Sequence, residues 1–173
     1  RGDPAGGEPI DLGIAPDNRD ALLAIAQGAR GVDLLVTTGG ASVGEHDLVQ
    51  AVLGEAGLEV DFWKIAMRPG KPLIFGRIGG VPMLGLPGNP VSTLVCATIF
   101  LLPALEKMQG LPAGAAPARH ATLAQPLPAN DRRQDYLRAT LAHAPDGALL
   151  ATPFQKQDSS MLATLAHADC LIV

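Results

Sequence analysis

An almost uninterrupted run of apolar and β-branched residues, 32–37, leads directly into a glycine-rich loop, and this junction constrains the fold more than any other feature of the chain. Such runs are typical of strands that are buried on both faces of a sheet. Apolar residues then recur at helical spacing: Leu48, Val49, Val52 and Leu53. A strand, a loop and a helix in this order predict an α/β fold with a mostly parallel sheet.

The neighbouring segments continue the alternation of strands and helices. Asp17 and Asn18 are predicted to start a helix whose apolar face carries Leu22, Leu23, Ile25 and Ala26. Further strands are predicted at residues 9–13, 58–66, 73–78 and 81–86, the last two forming a hairpin about Gly79 and Gly80. Pro90 is predicted to begin a long apolar, buried helix that ends near Gln109 and Gly110.

The chain changes character after a proline- and alanine-rich linker at residues 111–117. Short strand candidates follow at residues 121–123, 136–141 and 149–152, interrupted by the turn sequence Pro145-Asp146-Gly147. We therefore predict two domains, an α/β domain over residues 1–112 and a small β domain over residues 113–173.

Composition and charge exclude several classes of function. The net charge of −4 and a pI near 5.5 argue against a nucleic-acid partner, which requires a basic face. The longest apolar run, residues 91–105, is shorter than the roughly 18 to 20 residues of a membrane span. Cys96 and Cys170 lack metal-ligand spacing and fit a reducing compartment. We expect a cytoplasmic protein without a membrane partner, and an opening at Arg1 without a signal sequence fits a piece of a longer protein.

The first loop, residues 38–47, combines glycines with two carboxylates. Backbone N–H groups of a glycine-rich turn at the start of a helix can bind a phosphate, although a turn that needs glycine only for its φ angles is the structural alternative. Glu45 and Asp47 are oxygen ligands of the kind that Mg²⁺ prefers beside a phosphate, and either could instead cap the helix. This loop therefore predicts an anion site with an adjacent metal.

The first loop also contains a GxSxG pattern centred on Ser42, which is typical of the nucleophile of an α/β-hydrolase. A hydrolase also needs an acid and a histidine later in the chain, and the histidines that follow the loop are His120, His143 and His167. All three lie in the predicted second domain. A serine hydrolase therefore remains an alternative.

Two further loops carry groups that can bind anions. The second loop, residues 67–72, holds Arg68 and Lys71, with Lys64 and Arg77 on either side. The third loop, residues 86–92, places Asn89 as the cap and Pro90 at the first position of the long helix, which would leave a helix N-terminus free for an anion. Because ligands of open α/β sheets bind at the carboxyl ends of strands, we expect the three loops to form one crevice.

Together the three loops, TGGASVGEHD at 38–47, MRPGKP at 67–72 and LPGNPVS at 86–92, resemble the molybdopterin-binding domain of the molybdopterin molybdenumtransferases, including the gephyrin E domain. The resemblance extends from about Ile10 to Val173 and implies a three-layer α/β domain followed by a small β-barrel. Single-domain molybdopterin adenylyltransferases lack that second domain and are the nearest alternative. A scaffold or binding module is a further one, because the gephyrin branch binds receptor peptides.

The resemblance implies a reaction of adenylylated molybdopterin with molybdate and Mg²⁺ that yields molybdenum cofactor and AMP. Carried onto matching positions, it assigns catalysis to Asp47 and Lys71 and the metal to Asp47 and Glu45. It assigns pterin binding to Gly39, Gly40, Ser42, Gly44, Arg68, Pro87, Gly88, Asn89, Pro90 and Ser92.

This sequence departs from the family at two points. Arg68 stands where the family often has lysine, and a planar guanidinium binds oxyanions differently from an ammonium. The resemblance also implies two amino-terminal domains that are not in this sequence, and a homodimer in which they complete the active site. We therefore expect weak or no turnover by this chain alone. Further partners implied are a molybdopterin adenylyltransferase and molybdoenzymes.

Overall fold

The computed structural model describes residues 5–16, 18–39, 52, 54–55, 57–114 and 118–173. The first half contains α1 (Arg19–Gly28), β1 (Leu35–Thr38), β2 (Leu58–Trp63), β3 (Met67–Arg68), β4 (Ile74–Ile78), β5 (Val81–Leu86) and α2 (Pro90–Met108). The second half contains β6 (Thr122–Leu123), β7 (Gln134–Asp135), β8 (Leu137–His143), β9 (Leu149–Pro153), α3 (Leu162–Ala166) and β10 (Cys170–Ile172).

The first sheet has the strand order β1-β5-β4-β2 and is mixed. Of its described pairings, β1 with β5 is parallel, while β5 with β4 and β4 with β2 are antiparallel. The expectation of a mostly parallel sheet is therefore wrong for the described strands. The cause is the hairpin, which is confirmed: Gly79 and Gly80 take φ angles of 55° and 86° and return the chain antiparallel to itself. The three-layer arrangement and the domain boundary after residue 112 stay predictions.

Helix α1 begins where the sequence predicts, because the side chain of Asn18 accepts a hydrogen bond from the backbone N–H of Ala21 at 2.9 Å. The helix packs Leu22 and Ala26 against a buried cluster that includes Leu35 and Met83. The strand predicted at residues 9–13 does not form. Gly13 has a φ of 76° and its N–H donates to the Asp11 side chain at 2.8 Å, a local turn that competes with extended backbone.

Helix α2 runs over 19 residues and includes a π-helical turn at Ala97–Leu101. Its first half is buried against the sheet through Val91, Val95 and Cys96. Only 22% of its most apolar window is buried, so the prediction of a buried helix holds for that half alone. By length and composition it could cross a membrane, which is weak evidence because core helices of soluble proteins meet the same criteria.

The second sheet has the strand order β10-β8-β9-β6 and is also mixed, with β6 parallel to β9 and the other two pairings antiparallel. It is not closed into a barrel over the described residues. The turn at residues 145–147 is confirmed, with Gly147 at a φ of 85°. Arg138 is only 1% exposed, and its side chain donates to the Gln157 side chain at 3.2 Å and to the carbonyl of Asp158 at 3.0 Å. These bonds join β8 to the segment before α3.

The two halves of the chain meet in a short parallel pairing of β3 with β7, in which Met67 lies opposite Gln134 and Arg68 opposite Asp135. The backbone N–H of Tyr136 also donates to the carbonyl of Arg68 at 2.8 Å. The second loop is therefore fixed to the segment that precedes β8.

Candidate functional site

The register of the first sheet brings the described parts of the three loops to one edge. Thr38, the last residue of β1, lies opposite Leu86, the last residue of β5. Ile74, the first residue of β4, lies opposite Gly85 and also opposite Trp63, the last residue of β2. Because β4 is antiparallel to β5, the second loop enters the sheet where the first and third loops leave it. The described parts of the three loops therefore lie at the same end of the strands.

The first and third loops touch at their glycines. Gly39 has a φ of 85°, and its N–H donates to the carbonyl of Leu86 at 3.2 Å. A Cβ on Gly88 would lie 3.2 Å from the Cα of Gly39, a tight contact, whereas Gly39 is favoured by its positive φ. The other predicted residues of the first loop, Gly40, Ser42, Gly44, Glu45 and Asp47, lie outside the described residues.

The polar groups of the third loop cap the start of α2. The Asn89 side chain accepts from the N–H groups of Val91 at 3.1 Å and Ser92 at 3.4 Å, and the Thr93 hydroxyl donates to the carbonyl of Pro87. These bonds satisfy the first N–H groups of the helix, so the expectation of a helix N-terminus free for an anion is wrong. Pro87 and Ser92 are buried, while Gly88 and Pro90 are exposed.

The second loop packs tightly onto α2. Gly70 is buried with a φ of 112°, and a Cβ at this position would lie 2.5 Å from the Cys96 sulfur. The Cys96 thiol faces the Gly70 carbonyl at 3.8 Å, and burial raises the pKa of Cys96 to about 12. Cys96 is thus a neutral packing residue, as its apolar surroundings in the sequence predict.

Arg68 does not present a free guanidinium to a phosphate. Its Nε and Nη2 atoms donate to the two carboxylate oxygens of Asp135 at 2.8 and 2.9 Å, and Asp131 lies 3.6 Å from Nη2. This two-pronged ion pair joins residues 67 positions apart in the sequence. The expectation that Arg68 binds the pterin is not supported by this geometry, because its two best donors are already engaged.

Beside this ion pair lies a cleft of about 600 Å³ between the two halves of the chain, which we call the basic cleft. It is lined by Lys64, Ile65, Ala66, Lys71, Asp131, Arg132 and Arg133. Four cations therefore face one carboxylate. Hydrogen bonds from Arg133, first through its side chain, lower the pKa of Asp131 to about 2, so this carboxylate is ionised at neutral pH.

Sequence reasoning missed the contribution of the second half to this cleft. The sequence does show a basic pair, Arg132-Arg133, between Asp131 and Asp135. This pair alone does not specify which loop it contacts. Reasoning from the sequence also grouped Arg77 with the second loop. Arg77 lies toward the hairpin turn, opposite Pro82, and is not among the residues that line the cleft.

A second concavity of similar volume lies at the opposite end of the strands, between α1 and the hairpin turn. It is lined mainly by aliphatic side chains, with Arg30, Gln27 and Glu55 as its polar groups, and Glu55 already accepts from Arg19. None of the predicted site residues that the structure describes lines this concavity. We therefore place the candidate site at the basic cleft.

The residues predicted to hold Mg²⁺, Glu45 and Asp47, belong to the first loop. Among the residues that the structure describes, no three His, Cys, Asp or Glu side chains are grouped so that they could hold a metal ion. Glu45 and Asp47 lie outside that set. The described residues do not by themselves form a Mg²⁺ site.

The chain has clear relatives among known proteins. Residues 2–107 match the family described as "Probable molybdopterin binding domain", and residues 120–173 match the "MoeA C-terminal region (domain IV)". Molybdopterin molybdenumtransferases of Haemophilus influenzae and Bacillus subtilis are 37% and 33% identical over 96% and 98% of this chain and 41% and 39% of their own lengths. A crystal structure of the molybdopterin biosynthesis MoeA protein from Pyrococcus horikosii is 34% identical, with a TM-score of 0.74 over 96% of this chain and 39% of that one.

The fold and the cleft define a two-part α/β protein with a basic cleft of about 600 Å³ at the junction of its parts. The chain belongs to the molybdopterin-binding domain family, in the form in which the MoeA C-terminal region follows, as in the molybdopterin molybdenumtransferases. The resemblance stated from the three loops is therefore confirmed. The chain spans about 40% of the length of these relatives.

Proposed function

We propose that this chain supplies the pterin- and oxyanion-binding part of a molybdenumtransferase, which inserts molybdate into adenylylated molybdopterin and releases AMP. The observation that carries the proposal is the basic cleft, in which Lys64, Lys71, Arg132 and Arg133 surround a space of about 600 Å³. Cations grouped around a cleft can offset the charge of a dianion that approaches a pyrophosphate. Family membership supplies the pterin as the second ligand.

We propose the following division of roles. Lys71 and Arg133 bind the molybdate, while Gly39 and Gly88, whose backbones lie together, leave room for the phosphate end of the pterin. Arg68 positions the second loop through Asp135 instead of binding the ligand. Asp47 and Glu45 remain proposed ligands of Mg²⁺, and Gly40, Ser42, Gly44, Pro87, Asn89, Pro90 and Ser92 remain proposed contributors to the pterin pocket.

The presence of the MoeA C-terminal region favours this function over that of a single-domain adenylyltransferase, and no described contact favours a serine hydrolase or a scaffold. We further propose a cytoplasmic enzyme that acts as a homodimer. Its proposed partners are a molybdopterin adenylyltransferase, which supplies the adenylylated pterin, and the molybdoenzymes that receive the product. We propose neither a nucleic acid nor a membrane as a partner.

Calorimetric titration of the 173-residue chain with molybdate, and separately with molybdopterin, tests the proposal. We expect Lys71→Gln to weaken molybdate binding roughly 10-fold, because a charge-assisted contact is lost. Lys156→Gln, a change of an exposed lysine away from the cleft, should leave binding unaltered. Absence of binding of both ligands to a folded wild-type chain would contradict the proposal, and labelling of Ser42 by a fluorophosphonate would then favour the hydrolase.

A further inference from the structure

We infer that the second concavity, at the opposite end of the strands from the basic cleft, is a separate binding site for a monocarboxylate with an aliphatic body. The proposed function does not use this concavity, and it shares no lining residue with the basic cleft. Three observations of the described residues support the inference: aliphatic walls held by the core, a guanidinium at the concavity, and a neighbouring carboxylate that is already paired.

The second concavity has the size and the lining of a small-molecule site. Its volume is about 600 Å³, and such sites usually measure roughly 300 to 1,000 Å³. Leu23 and Ala26 of α1 line one side, and Ile78 and Val81 at the base of the hairpin line the other. An aliphatic ligand between these side chains would be removed from water, which favours binding.

The buried core holds these walls in place. Ala29 is 1% exposed and Ile78 is 4% exposed, and both belong to the buried cluster beneath α1. Ala26 and Val81 pack against the same cluster. Because the cluster fixes α1 against the hairpin strands, a ligand does not have to order the walls, and this lowers the cost of binding.

Arg30 supplies a cation at the concavity, where its side chain is exposed. Two backbone hydrogen bonds fix the turn that carries it: the N–H of Arg30 donates to Gln27 at 3.2 Å, and that of Val32 donates to Ala29 at 3.4 Å. In the part of the chain that the structure describes, no carboxylate lies within ion-pair distance of this guanidinium. One guanidinium can pair with one carboxylate through two parallel hydrogen bonds, so the concavity suits a monoanion.

The carboxylate of Glu55 also lines the concavity, but it is engaged elsewhere. Its Oε2 atom accepts from the Nε of Arg19 at 3.0 Å, and Arg19 does not line the concavity. Because Arg19 offsets the charge of Glu55, Arg30 is the charge that a ligand meets. An anionic head group complements this charge, while the aliphatic walls accommodate the body of the same ligand.

Octanoate, a monocarboxylate with an aliphatic chain, is the probe, and octanol is its uncharged counterpart. We would titrate the isotope-labelled 173-residue chain with each and follow the amide chemical shifts by NMR, because Gly31 and Gly79 line the concavity and report from within it. The variants are Arg30→Gln, Arg30→Lys and Leu23→Asp, the last at a partly buried position. Lys107→Gln, which removes an exposed cation near the end of α2, is the matched control. Circular dichroism establishes that each variant is folded.

Octanoate should bind the wild type at one saturable site, with a dissociation constant on the order of 1 mM, and should shift the amides of Gly31 and Gly79. Arg30→Gln should weaken binding roughly 3- to 10-fold, because a partly solvated charged contact is lost. Arg30→Lys should retain part of the affinity, since the charge remains without the two-pronged geometry. Leu23→Asp should abolish binding, because it places a carboxylate in the aliphatic wall. Octanol should bind the wild type and Arg30→Gln equally.

Three results would overturn the inference. If Arg30→Gln binds octanoate as tightly as Lys107→Gln does, the guanidinium does not recognise the carboxylate. If the shifted amides lie outside the concavity, or if no binding saturates, the concavity is not the site. A loss of molybdate binding in Arg30→Gln would show that the two sites are not separate. Titration of Lys71→Gln with molybdate tests the proposed function independently, because Lys71 does not line the second concavity.

Discussion

Gly70 shows how one residue can set the position of a functional loop. Its φ of 112° suits glycine, and its Cα faces the Cys96 sulfur so closely that a Cβ would lie 2.5 Å from it. This close approach seats the second loop, with Lys71 next in sequence, on the buried half of α2. The position of Lys71 therefore depends on a residue that has no side chain of its own.

Replacing Gly70 with alanine should lower the free energy of unfolding by about 2 to 3 kcal/mol, because overpacking adds to an unfavourable φ. Urea denaturation measures the loss. The matched control is Gly110→Ala, where φ is also positive at 74° but the space is open, and the loss should be about 1 kcal/mol. Adding Cys96→Ala to Gly70→Ala should recover part of the loss. Equal losses at Gly70 and Gly110 would show that contact with Cys96 is unimportant.

At the scale of elements, α2 links the core to the site. Asn89 caps the start of the helix, and the same turn carries Gly88 to the backbone of Gly39. Along the helix, Val91, Val95 and Cys96 bury one side against the sheet. The helix therefore fixes both the third loop, at its start, and the second loop, through Cys96.

Asn89→Ala should destabilise the chain by about 1 kcal/mol, the usual loss for a side-chain cap. The reason is that the N–H groups of Val91 and Ser92 lose their common acceptor. Thermal melting followed by circular dichroism measures the change. Asn130→Ala, in an exposed segment before β7, is the comparison and should be neutral. If Asn89→Ala and Asn130→Ala melt at the same temperature, the Asn89 cap does not stabilise the chain.

At the scale of the whole molecule, the site depends on how the two halves are joined. The basic cleft takes Lys64 and Lys71 from one half and Arg132 and Arg133 from the other. The Arg68–Asp135 ion pair lies directly beside it, with Asp135 only 15% exposed. Loosening this junction would therefore separate the cations without removing any of them.

Arg68→Lys should lower the free energy of unfolding by about 0.5 to 1 kcal/mol, because the charge remains and the two-pronged geometry is lost. It should also weaken molybdate binding, although Arg68 itself is not proposed to touch the ligand. Asp135→Asn should have the same effect, and the double variant should add little to either single change. Arg19→Lys, which alters the exposed pair with Glu55 far from the cleft, should leave molybdate binding unchanged. Additive losses in the double variant would mean that the two residues act independently.

The sequence by itself determined the features that depend on near neighbours. Asp17 and Asn18 were predicted to start a helix, Asn89 to cap one, and Gly79-Gly80 to turn the hairpin, because the groups that satisfy each of these conformations lie within about four residues. The three loops likewise identified the family, since each is a short continuous motif.

Only the tertiary structure decided which charges act together. The partner of Arg68 lies 67 positions away at Asp135, and nothing in the local pattern of either residue selects the other. The same pairing of β3 with β7 brings Arg132 and Arg133 close to Lys64 and Lys71, and these four residues together line the basic cleft. The tertiary structure also decided the relative directions of the strands in the first sheet. The β4–β5 hairpin lies between β2 and β1, so β4 runs antiparallel to both β2 and β5. Side-chain periodicity specifies which face of an element is buried, while the choice of neighbour depends on contacts between residues far apart in the sequence.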